Sequence, residues 1–259
     1  MNILVSGGMG FIGSHLVPML EKNHTVSIYD RKNNRDLLDY KHFSEMFSII
    51  KPDVVIHLAA ELSNDVVKCQ KDNIVATQNV VQRCKKKNIP VIFTSSCAVY
   101  GDNGHPKNVY GNSKFIAEQF VMSCEYYTIL RLSNVYGKGG RGVINQWLEL
   151  MKKNNPAKFT VSNTRRDFIH VSDVCKMINM TMKSMCVSKT NKREWQKMFN
   201  VSTSRSVDMS FLAGLLQRHT GAEIWTTTKE PEPEEIRDSI VKSNLPFKPI
   251  ALEEGIKLV

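Results

Sequence analysis

A short apolar run, Asn2-Ile3-Leu4-Val5-Ser6, breaks directly into Gly7-Gly8-Met9-Gly10-Phe11-Ile12-Gly13, and a helical apolar pattern then continues to Leu20. No other stretch restricts the fold so tightly. A strand, a glycine turn and a helix start make up the first half of a dinucleotide-binding β–α–β unit. The glycines permit a sharp turn and let the backbone approach a pyrophosphate, whose charge the free N–H groups of the new helix can hold. Asp30 closes the next apolar run, Thr25-Val26-Ser27-Ile28-Tyr29. It follows the glycines at close to the ~20-residue spacing of a carboxylate that binds ribose hydroxyls. Such a carboxylate favours NAD, because the 2′-phosphate of NADP would meet a negative charge; Arg31 beside it keeps NADP open as the alternative. Pro18 falls inside the first helix, where it costs roughly 3 kcal/mol, and the sequence offers no account of it.

Downstream, Asp36-Leu37-Leu38-Asp39 precedes a helical pattern over 40–50 that Lys51-Pro52 closes. Asp53-Val54-Val55-Ile56-His57-Leu58-Ala59-Ala60 reads as a buried parallel strand entering a small-residue turn, against which a cofactor can lie. His57 reads as a hydrogen-bonded core histidine. Residues 64–87 predict one long helix containing Asn73, and Pro90–Thr94 the next buried strand. That strand delivers Ser95 and Ser96 to the same edge as the glycines. Tyr110 and Lys114 then lie one turn apart on one helix face. A phenol beside an ammonium, with a serine hydroxyl arriving from a strand end, is a proton-transfer centre. The ammonium is expected to pull the phenol below its reference pKa of about 10.

The pattern continues with a strand at 127–132, a glycine-rich loop Lys138-Gly139-Gly140-Arg141-Gly142, a helix at 143–153 and a strand at 158–162. A helix at 172–186, a polar linker at 188–194, a strand at 198–201, a helix at 207–219 and an exposed Pro/Glu-rich loop at 230–235 follow. Alternating strands and helices predict an α/β fold: a doubly wound parallel (Rossmann) sheet with a smaller C-terminal α/β substrate lobe. The boundaries expected are 1–136 and 167–200 for the dinucleotide-binding domain, and 137–166 and 201–259 for the lobe.

The 259 residues suffice for a sizeable core. No run of about 18 apolar residues is present, so no membrane span is expected. The first residues lack a basic n-region and a cleavage site, so no signal peptide is expected either. The six cysteines show no CxxC pair and no metal-ligand spacing, which argues for reduced thiols, no metal and a cytoplasmic setting. A formal charge of +10 raises nucleic acid as a partner. The basic residues are scattered, however, and the densest run, Lys85-Lys86-Lys87, suits the end of a helix. They read as a solvated surface with some attraction for anionic substrates.

Taken in order, these pieces resemble the NAD-dependent epimerase/dehydratase family of extended short-chain dehydrogenase/reductases. The resemblance rests on the glycine turn, Asp30, His57-Leu58-Ala59-Ala60, Asn73, Ser95-Ser96-Cys97-Ala98-Val99-Tyr100-Gly101 and Tyr110-x-x-x-Lys114. It continues through Arg131-Leu132-Ser133-Asn134-Val135-Tyr136-Gly137, Arg166-Asp167-Phe168-Ile169-His170-Val171-Ser172-Asp173-Val174, Asn200-Val201-Ser202 and the terminal Leu245-Pro246-Phe247-Lys248-Pro249. The resemblance implies Ser96, Tyr110 and Lys114 as the catalytic set. It implies Gly7, Gly10, Phe11, Ile12, Gly13, Asp30, Asp36, Leu37, Leu58, Ala59, Ala60 and Asn73 as cofactor contacts, together with Tyr110 and Lys114. Ser96, Cys97, Asn134, Arg166 and Arg237 are implied as contacts for a nucleotide-diphosphate sugar. Arginine suits that task because its fork matches phosphate oxygens.

The implied activity is that of a nucleotide-sugar epimerase similar to UDP-glucose 4-epimerase, with NAD as cofactor. The alternative is an NAD(P)H-dependent reductase of a nucleotide-linked 4-keto-6-deoxy sugar. The family's dehydratases carry an Asp-Glu pair just after the catalytic Ser/Thr. Cys97 and Ala98 stand there instead, so elimination of water is disfavoured. A homodimer built on the helix carrying Tyr110 and the long helix before it is also implied.

Overall fold

The computed structural model describes residues 1–154, 156–187 and 197–259; the linker expected at 188–194 lies outside the described residues. The first half of the chain alternates strictly: β1 (Asn2–Ser6), α1 (Phe11–Glu21), β2 (Thr25–Tyr29), α2 (Tyr40–Ile50) and β3 (Val54–His57). α3 (Val66–Cys69) runs through a π-helical turn (Gln70–Val75) into α4 (Ala76–Lys87), followed by β4 (Val91–Ser96), α5 (Val109–Met122) and β5 (Tyr127–Leu132). After these come β6 (Asn134–Tyr136), α6 (Val143–Lys153), β7 (Ala157–Ser162), β8 (Arg165–His170), α7 (Val171–Val187) and β9 (Lys197–Val201). The chain ends with β10 (Ser206–Asp208), α8 (Met209–Thr220), β11 (Ile224–Lys229) and α9 (Leu252–Gly255).

Six strands form one parallel sheet in the order β2-β1-β3-β4-β5-β9. Successive residues of a strand point to opposite faces, and the core divides accordingly. Ile3, Val5, Val54, Ile56, Ile92, Leu130 and Leu132 pack with α1 and α7 on one face. Leu4, Val55, Val91, Phe93 and Ile129 pack with α2, α4 and α5 on the other. A third cluster joins Ile144, Trp147 and Leu148 of α6 to Leu212 and Leu216 of α8, with Phe168, Val207 and Ile256. β10-β8-β6 and the parallel pair β11-β7 complete this part.

Pro18 is tolerated because it faces solvent. The Ser14 carbonyl that loses its helical partner is on the same exposed face, where water can serve it. The helix expected over 64–87 is continuous but not uniform, since it widens into the π-helical turn at 70–75. No helix among the described residues is long and apolar enough to cross a membrane.

Candidate active site

β2 lies to one side of β1 and β3 to the other, so the chain changes direction beside the first strand. Such a switch point opens a crevice at the strands' carboxyl ends. The cleft found there has a volume of about 810 Å³. Gly7, Gly10, Phe11, Ile12, Gly13, Asp30, Asp36, Leu37, Leu58, Ala59 and Ala60 line it, as do Ser96, Tyr110, Lys114 and Asn134. Candidates from widely separated segments therefore meet on one surface.

The turn after β1 offers bare backbone that could hold a pyrophosphate. Gly10 precedes α1 as its N-cap and offers no side-chain cap, leaving the helix's first N–H groups at the cleft lined by Phe11, Ile12 and Gly13. Gly7 has φ +70°, and a Cβ there would lie 2.6 Å from Ala59 N. At Gly13 a Cβ would lie 2.4 Å from Gly8 O. Side chains at either position would collide with backbone, so the cradle exists because none is present. Asp30 is held by Met9 N and Lys32 N, donating at 3.0 and 2.9 Å. Arg31 donates to both Asp36 (2.9 Å) and Asp72 (2.6 Å), which hold its pKa above the usual guanidinium value. A dinucleotide with free ribose hydroxyls fits this donor and acceptor set.

The candidate proton-transfer residues are positioned by backbone contact. Asn108 caps α5 by accepting from Gly111 N at 2.8 Å. A Cβ on Gly111 would lie 2.5 Å from Ala98 O, so α5 seats directly on the turn that follows Ser96. Ser96 Oγ accepts from Ala98 N at 3.1 Å and is hydrogen-bonded to the Tyr110 side chain. Lys114 is buried, with Nζ 4.1 Å from the centre of the Phe93 ring. The expectation that Lys114 lowers the Tyr110 pKa is not met in the free chain. Burial pushes Tyr110 up to about 12, and the Ser96 hydrogen bond offsets this only in part. Burial likewise pushes Lys114 down to about 7, against the pull of Glu118. Desolvation is the largest influence on both groups.

His57 is buried and bonded on both sides, through Nδ1 to Ser6 Oγ (2.6 Å) and through Nε2 to Thr77 Oγ1 (3.0 Å). Burial, with a smaller contribution from Lys114, pushes its pKa down to about 3. A histidine depressed in the fold favours the unfolded chain once the solution can protonate it. Stability is therefore complete above pH ~6.5 and falls progressively as pH drops towards 3, by on the order of 4 kcal/mol from this residue. Urea melts at pH 7, 5 and 4 check this, with His57→Gln expected to flatten the slope.

Four sequence candidates do not line the cleft, and each has a physical reason. Asn73 is buried in the π-helical turn, where its side chain bonds Glu61 N and O (2.8 and 2.9 Å) and Ser113 Oγ (2.8 Å). It brackets the cleft wall to α5 instead of facing a cofactor. Cys97 is buried with Sγ donating to Arg131 O at 3.4 Å, and burial pushes its thiol up to about 12. Arg166 turns to Glu235 and the Ile236 carbonyl, and burial lowers its pKa. Arg237 is exposed, its backbone N–H donating to Asp102 Oδ1 at 2.8 Å. Asn134 does face the cleft while donating to Asp167 O at 2.9 Å.

Sequence reasoning missed Arg141, Tyr136 and Phe168, which also line the cleft. Arg141 stands exposed immediately before α6. The glycines around it were the available signal, since they mark a loop built for close backbone approach.

A family model for the NAD dependent epimerase/dehydratase family matches residues 3–201. The chain belongs to this epimerase/dehydratase family. A Methanocaldococcus jannaschii protein, whose name UDP-glucose 4-epimerase is provisional, is 34% identical over 306 aligned positions, covering 99% of this chain and 96% of the relative. The alignment is longer than the 259 residues of the chain, so this family member is shortened by internal gaps. The crystal structure of Thermotoga maritima UDP-glucose 4-epimerase with UDP-glucose superposes with a TM-score of 0.84 at 28% identity, covering 100% of this chain and 97% of that one. Thermus thermophilus UDP-glucose 4-epimerase with NAD gives 0.85 at 24% identity, again over 100% and 97%. Like other members of the epimerase/dehydratase family, the chain is an NAD-dependent enzyme.

Proposed function

We propose that this chain is an NAD-dependent nucleotide-sugar epimerase acting on a UDP-hexose at C4, with Ser96, Tyr110 and Lys114 as its catalytic residues. The observation that carries this reading is the grouping of those three residues in the cleft that also holds the pyrophosphate cradle. The turn at Cys97 and Ala98 supports epimerisation over dehydration, because neither side chain can act as the acid or base of an elimination.

The glycine turn, Asp30, Asp36, Leu37, Leu58, Ala59 and Ala60 would hold NAD, which when bound supplies a reversible hydride acceptor. The chain's own residues manage the proton. Tyr110 Oη takes the proton of the sugar 4-hydroxyl as C4 is oxidised, and returns it when the ketone is reduced on its other face. Ser96 Oγ hydrogen-bonds the same oxygen, and the Lys114 ammonium stabilises the phenolate. Asn134 and Arg141 lie where the diphosphate and sugar would enter. Arg166, engaged by Glu235 and the Ile236 carbonyl, and the exposed Arg237 lie outside the cleft lining and are assigned no substrate contact.

The proposed division is 1–136 and 167–200 for the cofactor domain, and 137–166 and 201–259 for the substrate lobe. Homodimerisation through α3–α4 and α5 is supported by exposed Val66, Val67 and Phe115 on those helices. A cytoplasmic setting accords with the reduced thiols.

Two measurements test the reading. Incubating the chain with UDP-glucose and substoichiometric NAD is expected to yield UDP-galactose by NMR; steady loss of nicotinamide absorbance with a 4-keto sugar would instead establish the reductase alternative. Cofactor choice is the second. With Arg31 balanced by Asp36 and Asp72, NADP is expected to bind at least about tenfold more weakly than NAD, a difference of ~1.4 kcal/mol. Fluorescence titration checks this, and Asp72→Asn, which frees part of Arg31, is expected to narrow the gap.

A further inference from the structure

Glu118 lies on α5 one turn beyond Lys114 and two beyond Tyr110, and neighbours at i and i+4 share a helix face. It is fully buried. Its carboxylate accepts from Arg131 Nε at 2.9 Å and Nη2 at 2.6 Å. Arg131, on β5, is itself held by the Tyr100 ring, whose centre lies 4.6 Å from the guanidinium carbon. Tyr100 OH in turn donates to Asn200 Oδ1 at 2.8 Å on β9.

The titratable groups that act on or against Lys114 are Glu118 on its own helix, His57 of β3 and Cys69 of α3, with the ammonium over the Phe93 ring of β4 and Tyr110 one helical turn back on α5. Tyr110, His57 and Cys69 are all uncharged at neutral pH, since burial moves each away from its charged form. Glu118 is therefore the anion in this group. A buried carboxylate is costly unless matched, and Arg131 matches it through a bidentate ion pair.

We propose that Glu118 is a positioning residue for proton transfer, which keeps Lys114 in its ammonium form while Arg131 limits how strongly it does so. Arg131 pairs directly with Glu118, and Glu118 lies one helical turn from Lys114, so the charges alternate along Arg131, Glu118 and Lys114. Neutralising the middle charge leaves two buried cations and disfavours the ammonium. Removing the outer cation frees the whole carboxylate for Lys114 and favours it. An ion pair whose charges do not reach Lys114 predicts no such opposition. The role assigned to Glu118 rests on the proposed function of Lys114, but the charge coupling is measurable in the free chain, so failure of the epimerase reading would show separately as absent turnover.

The test is NMR titration of the chain labelled with ¹³C at lysine Cε. The resonance that titrates near neutrality and is missing from Lys114→Arg belongs to Lys114. In Glu118→Gln its midpoint is expected to fall by about a unit, a tenfold change in the proton equilibrium, and Glu118→Asp should restore most of it. In Arg131→Met the midpoint is expected to rise. Midpoints that stay put, or that move the same way in both variants, overturn the proposal. Should Glu118→Gln fail to fold, the Arg131→Met arm decides alone: a rise supports the coupling, and an unmoved or lower midpoint overturns it.

Discussion

Tyr110→Phe is expected to lower kcat by roughly 10²–10⁴-fold, the range that a positioned acid–base group supplies. The substitution removes one oxygen from a ring that is otherwise retained, and with it the hydrogen bond to Ser96. Loss of that bond costs about 1 kcal/mol of stability, so the variant folds. NAD affinity should change by no more than several-fold, because the cradle at Gly7–Gly13 and the carboxylate of Asp30 are untouched. The free chain holds Tyr110 protonated, with its pKa pushed up to about 12, and Lys114 pushed down to about 7. In the proposed mechanism phenolate formation draws on the Lys114 cation. Lys114→Met should accordingly lower kcat as well. Steady-state kinetics beside a cofactor titration separate the two effects; unchanged turnover in Tyr110→Phe would remove the tyrosine from the mechanism.

Gly13→Ala is expected to weaken cofactor binding strongly. The added Cβ would sit 2.4 Å from Gly8 O and 2.6 Å from Gly8 Cα, both backbone atoms of the turn itself. They cannot move without opening the cradle, so NAD affinity should fall by about a hundredfold, or ~2.7 kcal/mol. Overpacking of this kind also costs roughly 1–3 kcal/mol of stability. Gly214→Ala is the matched control. It lies within α8, and its added Cβ would meet only Arg218 Nη1, at 3.6 Å. Helix propensity makes that change neutral or slightly stabilising. Thermal melts and NAD titrations of both variants check the contrast.

What could be read from the sequence follows from locality. The strand alternation that divides Ile3 and Val5 from Leu4 is visible as an apolar run, and the glycine turn, Asp30 and the small residues Ala59 and Ala60 sit at strand ends whatever the rest does. β10 and β11 were not legible: one has three residues, and the other, Ile224–Lys229, is mostly exposed and takes its order from pairing with β7. The π-helical turn at 70–75 is set by where Asn73 reaches, across to Glu61 and Ser113, which helical periodicity does not encode. Arg166 looks free in sequence because its partner, Glu235, is distant along the chain. The Tyr110–Lys114 spacing showed which charges would meet. It did not show how deeply they are buried, and burial decides the sign of the tyrosine shift.

The most direct measurement follows deuterium at C4 of UDP-glucose during turnover in ordinary water with substoichiometric NAD. Transient oxidation at C4, with the proton handled by Tyr110, predicts UDP-galactose that retains deuterium at C4 and no net change in nicotinamide absorbance. Loss of the label to solvent, or product formed only as reduced cofactor is consumed, would contradict it.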